Sequence, residues 1–168
     1  MTKRIIHVVG TGTIGEPLIG LLTHYQAEMG LDEITFHKHS ISDRPKVKAL
    51  VDRGAKLAVD ADKMEAFKAA GMNPVMTHEE ALDQATAVID CSPKGLEMKE
   101  KVYKHYEHNT KGFIAQGSEF GFGKMYARGI NDEILQSDDK YIHVVSCNTH
   151  NISCLLQTLV LADGNDNL

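Results

Sequence analysis

The sequence predicts an α/β fold, a doubly wound and mostly parallel sheet with helices on both faces. Three observations carry this expectation. β-Branched apolar runs alternate with segments of helical period, glycines close many of the helical segments, and a Gly-x-Gly-x-x-Gly string joins the first strand to the first helix.

Ile5, Ile6, Val8 and Val9 precede Gly10 as an apolar run of the kind that is buried on both faces of a parallel sheet. From Thr13 the period becomes helical through Ile14, Leu18, Leu21, Leu22, Tyr25 and Met29, and Gly30 supplies a stop. Residues 34–36 form the next strand, and residues 44–53 a polar-faced helix ending at Gly54. Residues 56–59 read as a third strand, 62–70 as a helix closed by Gly71, and 78–85 as another short helix. Ala87-Val88-Ile89-Asp90-Cys91 is the clearest later strand, followed by a helix over 96–106 and a strand over 112–116. The last strand spans 141–145 and leads to a helix over 151–162, with 163–167 as a terminal loop. There is no internal repeat and no low-complexity tract.

The 168 residues suit one domain, with 42% apolar and 24% charged residues, which excludes disordered and collagen-like classes. The net charge of −5 gives no global attraction to nucleic acid or an anionic membrane. Three cysteines without a ladder of spacings argue against a disulfide framework and for reduced thiols in a cytoplasm. The apolar run after the basic Met1-Thr2-Lys3-Arg4 is broken by His7 and Gly10, so neither a signal peptide nor a membrane span is expected.

Gly10, Gly12 and Gly15 stand where a Rossmann-like dinucleotide site needs them. The first permits a tight turn, the second a close backbone approach to a pyrophosphate, and the third close helix packing, with the helix N-terminus facing the anion. The carboxyl end of the second strand is basic, with His37, Lys38, His39 and Ser40 followed by Arg44, which favours NADP over NAD. Ser92-Pro93-Lys94-Gly95 and Gln116-Gly117 follow strand ends and are placed to flank the nicotinamide side.

Cys147 lies between the last strand and the last helix, where backbone N–H groups and the helix dipole favour a nucleophilic thiolate and can hold an oxyanion. Cys154 is expected in the core and Cys91 as a packing residue at a strand end. The nine histidines show no ligand spacing typical of zinc, so no metal centre is expected, and His37 and His39 read as surface polarity. His150 is read as a helix-start residue rather than a base.

Taken together, Gly12-Thr13-Ile14-Gly15, the stretch from Val88 through Asp90-Cys91-Ser92-Pro93-Lys94-Gly95, Phe113-Ile114-Ala115-Gln116-Gly117 and Val144-Val145-Ser146-Cys147-Asn148-Thr149 resemble, in order and spacing, the archaeal-type (type II) glyceraldehyde-3-phosphate dehydrogenases. The resemblance runs from Ile5 to about Leu161. It implies that Thr13, Ile14, Lys38, Pro93 and Gly117 contact NADP or NAD, and that Ser146, Cys147 and Asn148 contact substrate with Cys147 as nucleophile. The implied reaction oxidises glyceraldehyde 3-phosphate, with hydride passing from the cysteine thiohemiacetal to the nicotinamide and inorganic phosphate then releasing the acyl group of the thioester as 1,3-bisphosphoglycerate, with neither nucleic acid nor membrane as a partner and a homotetramer as the full-length form. His150 departs from the threonine common in that family. The resemblance divides the chain into a dinucleotide-binding domain over 1–150 and the start of a catalytic domain over 151–168, and implies that the base and phosphate-binding groups lie beyond, so that this chain alone does not turn over. A non-catalytic NADP-binding module and a relative of the aspartate-semialdehyde-type dehydrogenases are the alternatives.

Overall fold

The computed structural model describes residues 3–161, so the predicted loop over 163–167 lies outside the described residues. Eight strands form one sheet: β1 (Ile5–Val9), β2 (Glu33–His37), β3 (Lys56–Val59), β4 (Met76–Thr77), β5 (Ala87–Asp90), β6 (Gly112–Gly117), β7 (Lys124–Tyr126) and β8 (Tyr141–Val145). Their order across the sheet is β4-β3-β2-β1-β5-β6-β8-β7, and the paired strands are parallel. The chain builds outward from β1 to β4 and then returns to the other side of β1 with β5. That reversal makes the carboxyl ends of β1 and β5 a topological switch point, where ligands of open α/β sheets bind. The fold is α/β and Rossmann-like, as the sequence predicts.

Six α-helices accompany the strands: α1 (Gly15–His24), α2 (Arg44–Asp52), α3 (Met64–Ala69), α4 (His78–Gln84), α5 (Gly95–Lys101) and α6 (Cys147–Leu156). One core packs Val8, Phe36 and Leu57 against Ile19 and Leu22 of α1, Val47 and Leu50 of α2, and Phe67 of α3. The second, on the opposite face, joins Val9, Val88 and Phe113 to Leu82 and Tyr103. Val8 and Val9 thus serve opposite faces, which is why the run in β1 reads as continuously apolar. Aromatic rings reinforce the second core, with Phe113 stacked between Tyr103 and Tyr141 at centroid distances of 5.0 and 5.1 Å.

Several boundaries differ from the sequence expectation. α1 stops at His24, before the expected Tyr25 and Met29, because those two side chains face solvent and have no core to join. α5 ends at Lys101, and a single 3-10 turn over Tyr103–Tyr106 replaces its last turn, carrying Tyr103 into the core. α6 starts four residues before the expected Asn151, because Ser146 caps it by accepting a hydrogen bond from the Thr149 N–H at 3.3 Å. β4 and β7 are absent from the sequence reading, being two and three residues long, too short for a period to show. α4 begins with a full capping box, in which Thr77 Oγ1 accepts from the Glu80 N–H and Glu80 Oε2 accepts from the Thr77 N–H. Among the described residues, no helix is long and apolar enough to cross a membrane.

Beneath α4 the second face carries a fully buried histidine. His7 Nδ1 lies 2.7 Å from Thr35 Oγ1 and its Nε2 lies 3.2 Å from His78 Nδ1. Burial, and then the charges that His78 and His37 would carry, hold His7 well below its ordinary value of 6.5. Unfolding frees this ring to take up a proton, so its contribution is complete above pH 6.5 and is lost as the pH falls below it. We expect the urea midpoint to drop between about pH 7 and about pH 5, with His7 contributing up to about 1.4 kcal/mol per pH unit. His7→Gln should flatten that slope, and an unchanged slope would refute the role given to His7.

Candidate dinucleotide site at the switch point

The loop after β1 is shaped by contact between backbones. A Cβ at Gly15 would overlap the Gly10 carbonyl group and crowd the Cβ of Cys91, so the first turn of α1 lies directly on the strand ends. Gly10 itself turns with a φ of 92°, a conformation open to glycine. At Gly12 a Cβ would meet nothing within 4 Å, so that backbone faces open space. No side chain caps the first turn of α1. The arrangement presents the start of a helix to any anion placed there.

Two clefts adjoin at Ser92 and Pro93. The first, of about 590 Å³, runs from Gly10 and Gly12 to Lys38 and is closed by Pro93 and Lys94. The second, of about 540 Å³, opens on the other side of Pro93 toward Thr13, Ile14, Gln116 and Gly117. Nine of the eleven positions expected to hold a dinucleotide therefore line these two adjoining clefts at the switch point. The other two, Gly15 and Gly95, are buried at the starts of α1 and α5 and act through packing. A hollow of about 410 Å³ beside α2 holds none of them.

At the far end of the first cleft, Lys38 is only 7% exposed, and its ammonium lies 3.4 Å from Asp43 Oδ2. Hydrogen bonding and charge from Lys38 hold the Asp43 carboxyl below its usual value. His37 is buried rather than part of a polar surface, contrary to expectation, and its Nε2 lies 2.8 Å from Asp60 Oδ1. It is buried because Val9, His37 and Ala58 share one register row on the face that α4 covers. Burial lowers His37, with partial opposition from Asp60. Partial burial pushes the Asp60 carboxyl up, but hydrogen bonds and charge from Lys63 and His37 outweigh it and hold the group at about 2.

Two residues that the sequence reading passed over hold the groove in shape. Asp90, at the end of β5, accepts from the Ser92 N–H at 2.7 Å through Oδ1 and from the Tyr103 hydroxyl at 2.6 Å through Oδ2. It is almost wholly buried, which pushes its carboxyl up. His143, buried in β8, donates from Nε2 to the Gly117 carbonyl at 3.0 Å. The available signal in both cases was a titratable residue inside an apolar strand run, as in Val88-Ile89-Asp90 and Ile142-His143-Val144.

Cys147 is the first residue of α6 and is exposed, with Ser146 as the cap. The pairing of Gly117 with Val145 puts Cys147 two residues beyond the level of Gly117. Ser146, Cys147 and Asn148 line neither cleft. His150 lies within α6, and its Nε2–H donates to the Arg128 carbonyl at 2.9 Å, which engages that nitrogen in a structural contact. Cys91 packs half-buried against the first core, as expected, and burial followed by the charge of Asp90 pushes its thiol up to about 12. Cys154 is exposed, which corrects the core expectation. Its apolar neighbours Ile152, Leu155 and Leu156 are exposed as well, so α6 offers no core there.

The site therefore belongs to the class of Rossmann-like folds with a glycine-shaped groove at the switch point. Sequence comparison extends the likeness along most of the chain. It is 31% identical to a glyceraldehyde-3-phosphate dehydrogenase of Pyrobaculum neutrophilum, over 93% of this chain and 44% of that protein. Similar matches are the glyceraldehyde-3-phosphate dehydrogenase 1 of Methanosarcina barkeri, 31% identical over 89% of this chain and 42% of that protein, and the glyceraldehyde-3-phosphate dehydrogenase 2 of Methanosarcina acetivorans, 30% identical over 98% and 47%. The chain spans just under half the length of these relatives. No family model matches it.

Because backbone rather than side chain surrounds Gly15, the loop has no cheap way to accommodate a methyl group. Gly15→Ala should destabilise the fold by about 1–3 kcal/mol, read from the denaturation midpoint. Wild-type stability in that variant would contradict the packing described for α1.

Proposed function

We propose that this chain is the dinucleotide-binding part of an archaeal-type glyceraldehyde-3-phosphate dehydrogenase, with NADP preferred over NAD and with Cys147 as nucleophile. The observation that carries the reading is the groove itself, which runs from the uncapped start of α1 to the buried Lys38 and is lined by residues of the motifs shared with that family. The residues fit such a cofactor. The open backbone at Gly12 and the first turn of α1 would take the pyrophosphate, and the Lys38 ammonium would pair with the additional phosphate of NADP. Thr13, Ile14, Pro93, Gln116 and Gly117 would enclose the other half.

When bound, the cofactor supplies an acceptor for hydride. The chain's own chemical contribution is the sulfur of Cys147, which would add to the carbonyl carbon of a phosphorylated aldehyde while the N–H groups of the first turn of α6 stabilise the developing oxyanion. Addition gives a thiohemiacetal, and only after its carbon has given up hydride to that acceptor would inorganic phosphate displace the thiolate from the acyl thioester, restoring Cys147. A module that binds NADP without catalysis is the second reading, favoured by the position of Cys147 outside both clefts.

Calorimetric titration tests the cofactor assignment. The chain should bind NADP(H), and Lys38→Gln, which removes the charge without setting a second carboxylate beside Asp43, should weaken NADP about tenfold while changing NAD less. Equal losses for both cofactors would overturn the role of Lys38. Iodoacetamide labelling followed by peptide mass spectrometry tests the nucleophile. Cys147, exposed at a helix start, should react before the exposed but mid-helical Cys154, and both before Cys91. Faster labelling of Cys154 would overturn the assignment.

A further inference from the structure

The carboxyl ends of β2 and β3 bring together a set of donors beside Lys38, the residue of this edge to which the dinucleotide reading gives the phosphate contact. His37 pairs with Ala58 in the β2–β3 register, and Asp60 follows two residues later in extended backbone, so strand alternation sends His37, His39 and Asp60 toward the same side. The side chains meet there. His37 Nε2 lies 2.8 Å from Asp60 Oδ1, and His39 Nδ1 lies 2.8 Å from Asp60 Oδ2. One ligand atom from each residue falls within 4.8 Å of the others.

We propose that His37, His39 and Asp60 form a binding site for a divalent transition-metal ion of the zinc class, which enters by displacing the ammonium of Lys63. That ammonium already occupies the position of a cation. It lies 2.7 Å from Asp60 Oδ2, 3.0 Å from His39 Nδ1 and 3.0 Å from the His39 carbonyl oxygen. Two of the three donor residues, Asp60 and His39, are thus already arranged around a positive charge, and the Lys63 side chain, 30% exposed, reaches solvent on its other side. Two imidazoles and one carboxylate suit Zn²⁺, Co²⁺ or Ni²⁺ better than Mg²⁺ or Ca²⁺, which prefer all-oxygen sets.

The donors also differ usefully in freedom. His37 is buried and its ring stacks on His78 at a centroid distance of 4.0 Å, so it is the fixed ligand. His39 is exposed and can turn its ring to reach metal–ligand lengths of about 2.0–2.2 Å. With three protein ligands, the remaining position of a tetrahedral ion would be open to water. His37 and His39 both border the cleft that ends at Lys38, so the ion would stand at the rim of that cleft.

The test is titration of the full chain with Co²⁺ and Zn²⁺ in a Cys147→Ser, Cys154→Ser background, which removes the exposed thiols as competing ligands. We expect one ion per chain, with Co²⁺ giving visible ligand-field absorption and no thiolate charge-transfer band. His39→Ala and Asp60→Asn should each weaken binding about tenfold or more, and Lys63→Ala should tighten it by removing the competing cation. Failure to form a one-to-one complex would overturn the site. Binding that survives both His39→Ala and Asp60→Asn would do the same, as would a Lys63→Ala variant that binds no more tightly.

Discussion

At Gly15 the first turn of α1 lies against the Gly10 carbonyl and the Cβ of Cys91 so closely that no side chain fits between them. This backbone contact joins the switch point of the sheet to the helix that faces it, and the groove inherits its shape from it. With the helix start held there, the Gly12 backbone stands open on one side and Thr13 and Ile14 project on the other. The two clefts are two sides of one loop, divided by Pro93 from the neighbouring strand. A side chain at position 15 would lift the helix and change both together.

The loops opposite are positioned by buried polar groups rather than by apolar packing. Removing Asp90 from water is costly, and the Tyr103 hydroxyl and Ser92 N–H offset part of that cost only while the loop after β5 holds its present course. His143 couples Gly117 to β8 in the same way. At the Lys38 end, His37 and Asp60 form a third polar contact between strand ends. Each of these groups lies at or near the carboxyl edge of the sheet, so the hydrogen bonds that justify their burial also shape the groove.

The fold was legible because its signals were long. β1, β5 and β8 are each set off by apolar residues, and the glycine string announces the turn into α1. Helix ends were less legible where tertiary packing decided them. Leu21, Tyr25 and Met29 continue a helical period, yet all three face solvent, and α1 stops when its buried stripe stops at Leu22. The groove was legible residue by residue because strand ends and glycines place it. Asp90, His143 and the burial of His37 were not, since their importance arises from partners 13 to 26 residues away in sequence: Tyr103, Asp60 and Gly117. A histidine in a loop-like string reads as polar surface until register reveals which face it occupies.

Cys147 shows how a position can be fixed without being enclosed. Its height above the sheet follows from β8, whose ladder with β6 ends at Gly117 and Val145. Its orientation follows from the Ser146 cap and from His150, which ties the first turn of α6 to the Arg128 carbonyl. Past that turn, Ile152, Leu155, Leu156 and Leu159 are exposed, so no apolar core helps to hold the helix. The contacts that locate the thiol are therefore those of one helical turn, and they lie on the β8 side of the groove. On the proposed reading, an aldehyde attacked by Cys147 would have to bridge from α6 toward the cleft at Gly117, and the hydrogen bond from His143 to the Gly117 carbonyl links the two edges that this bridge would join.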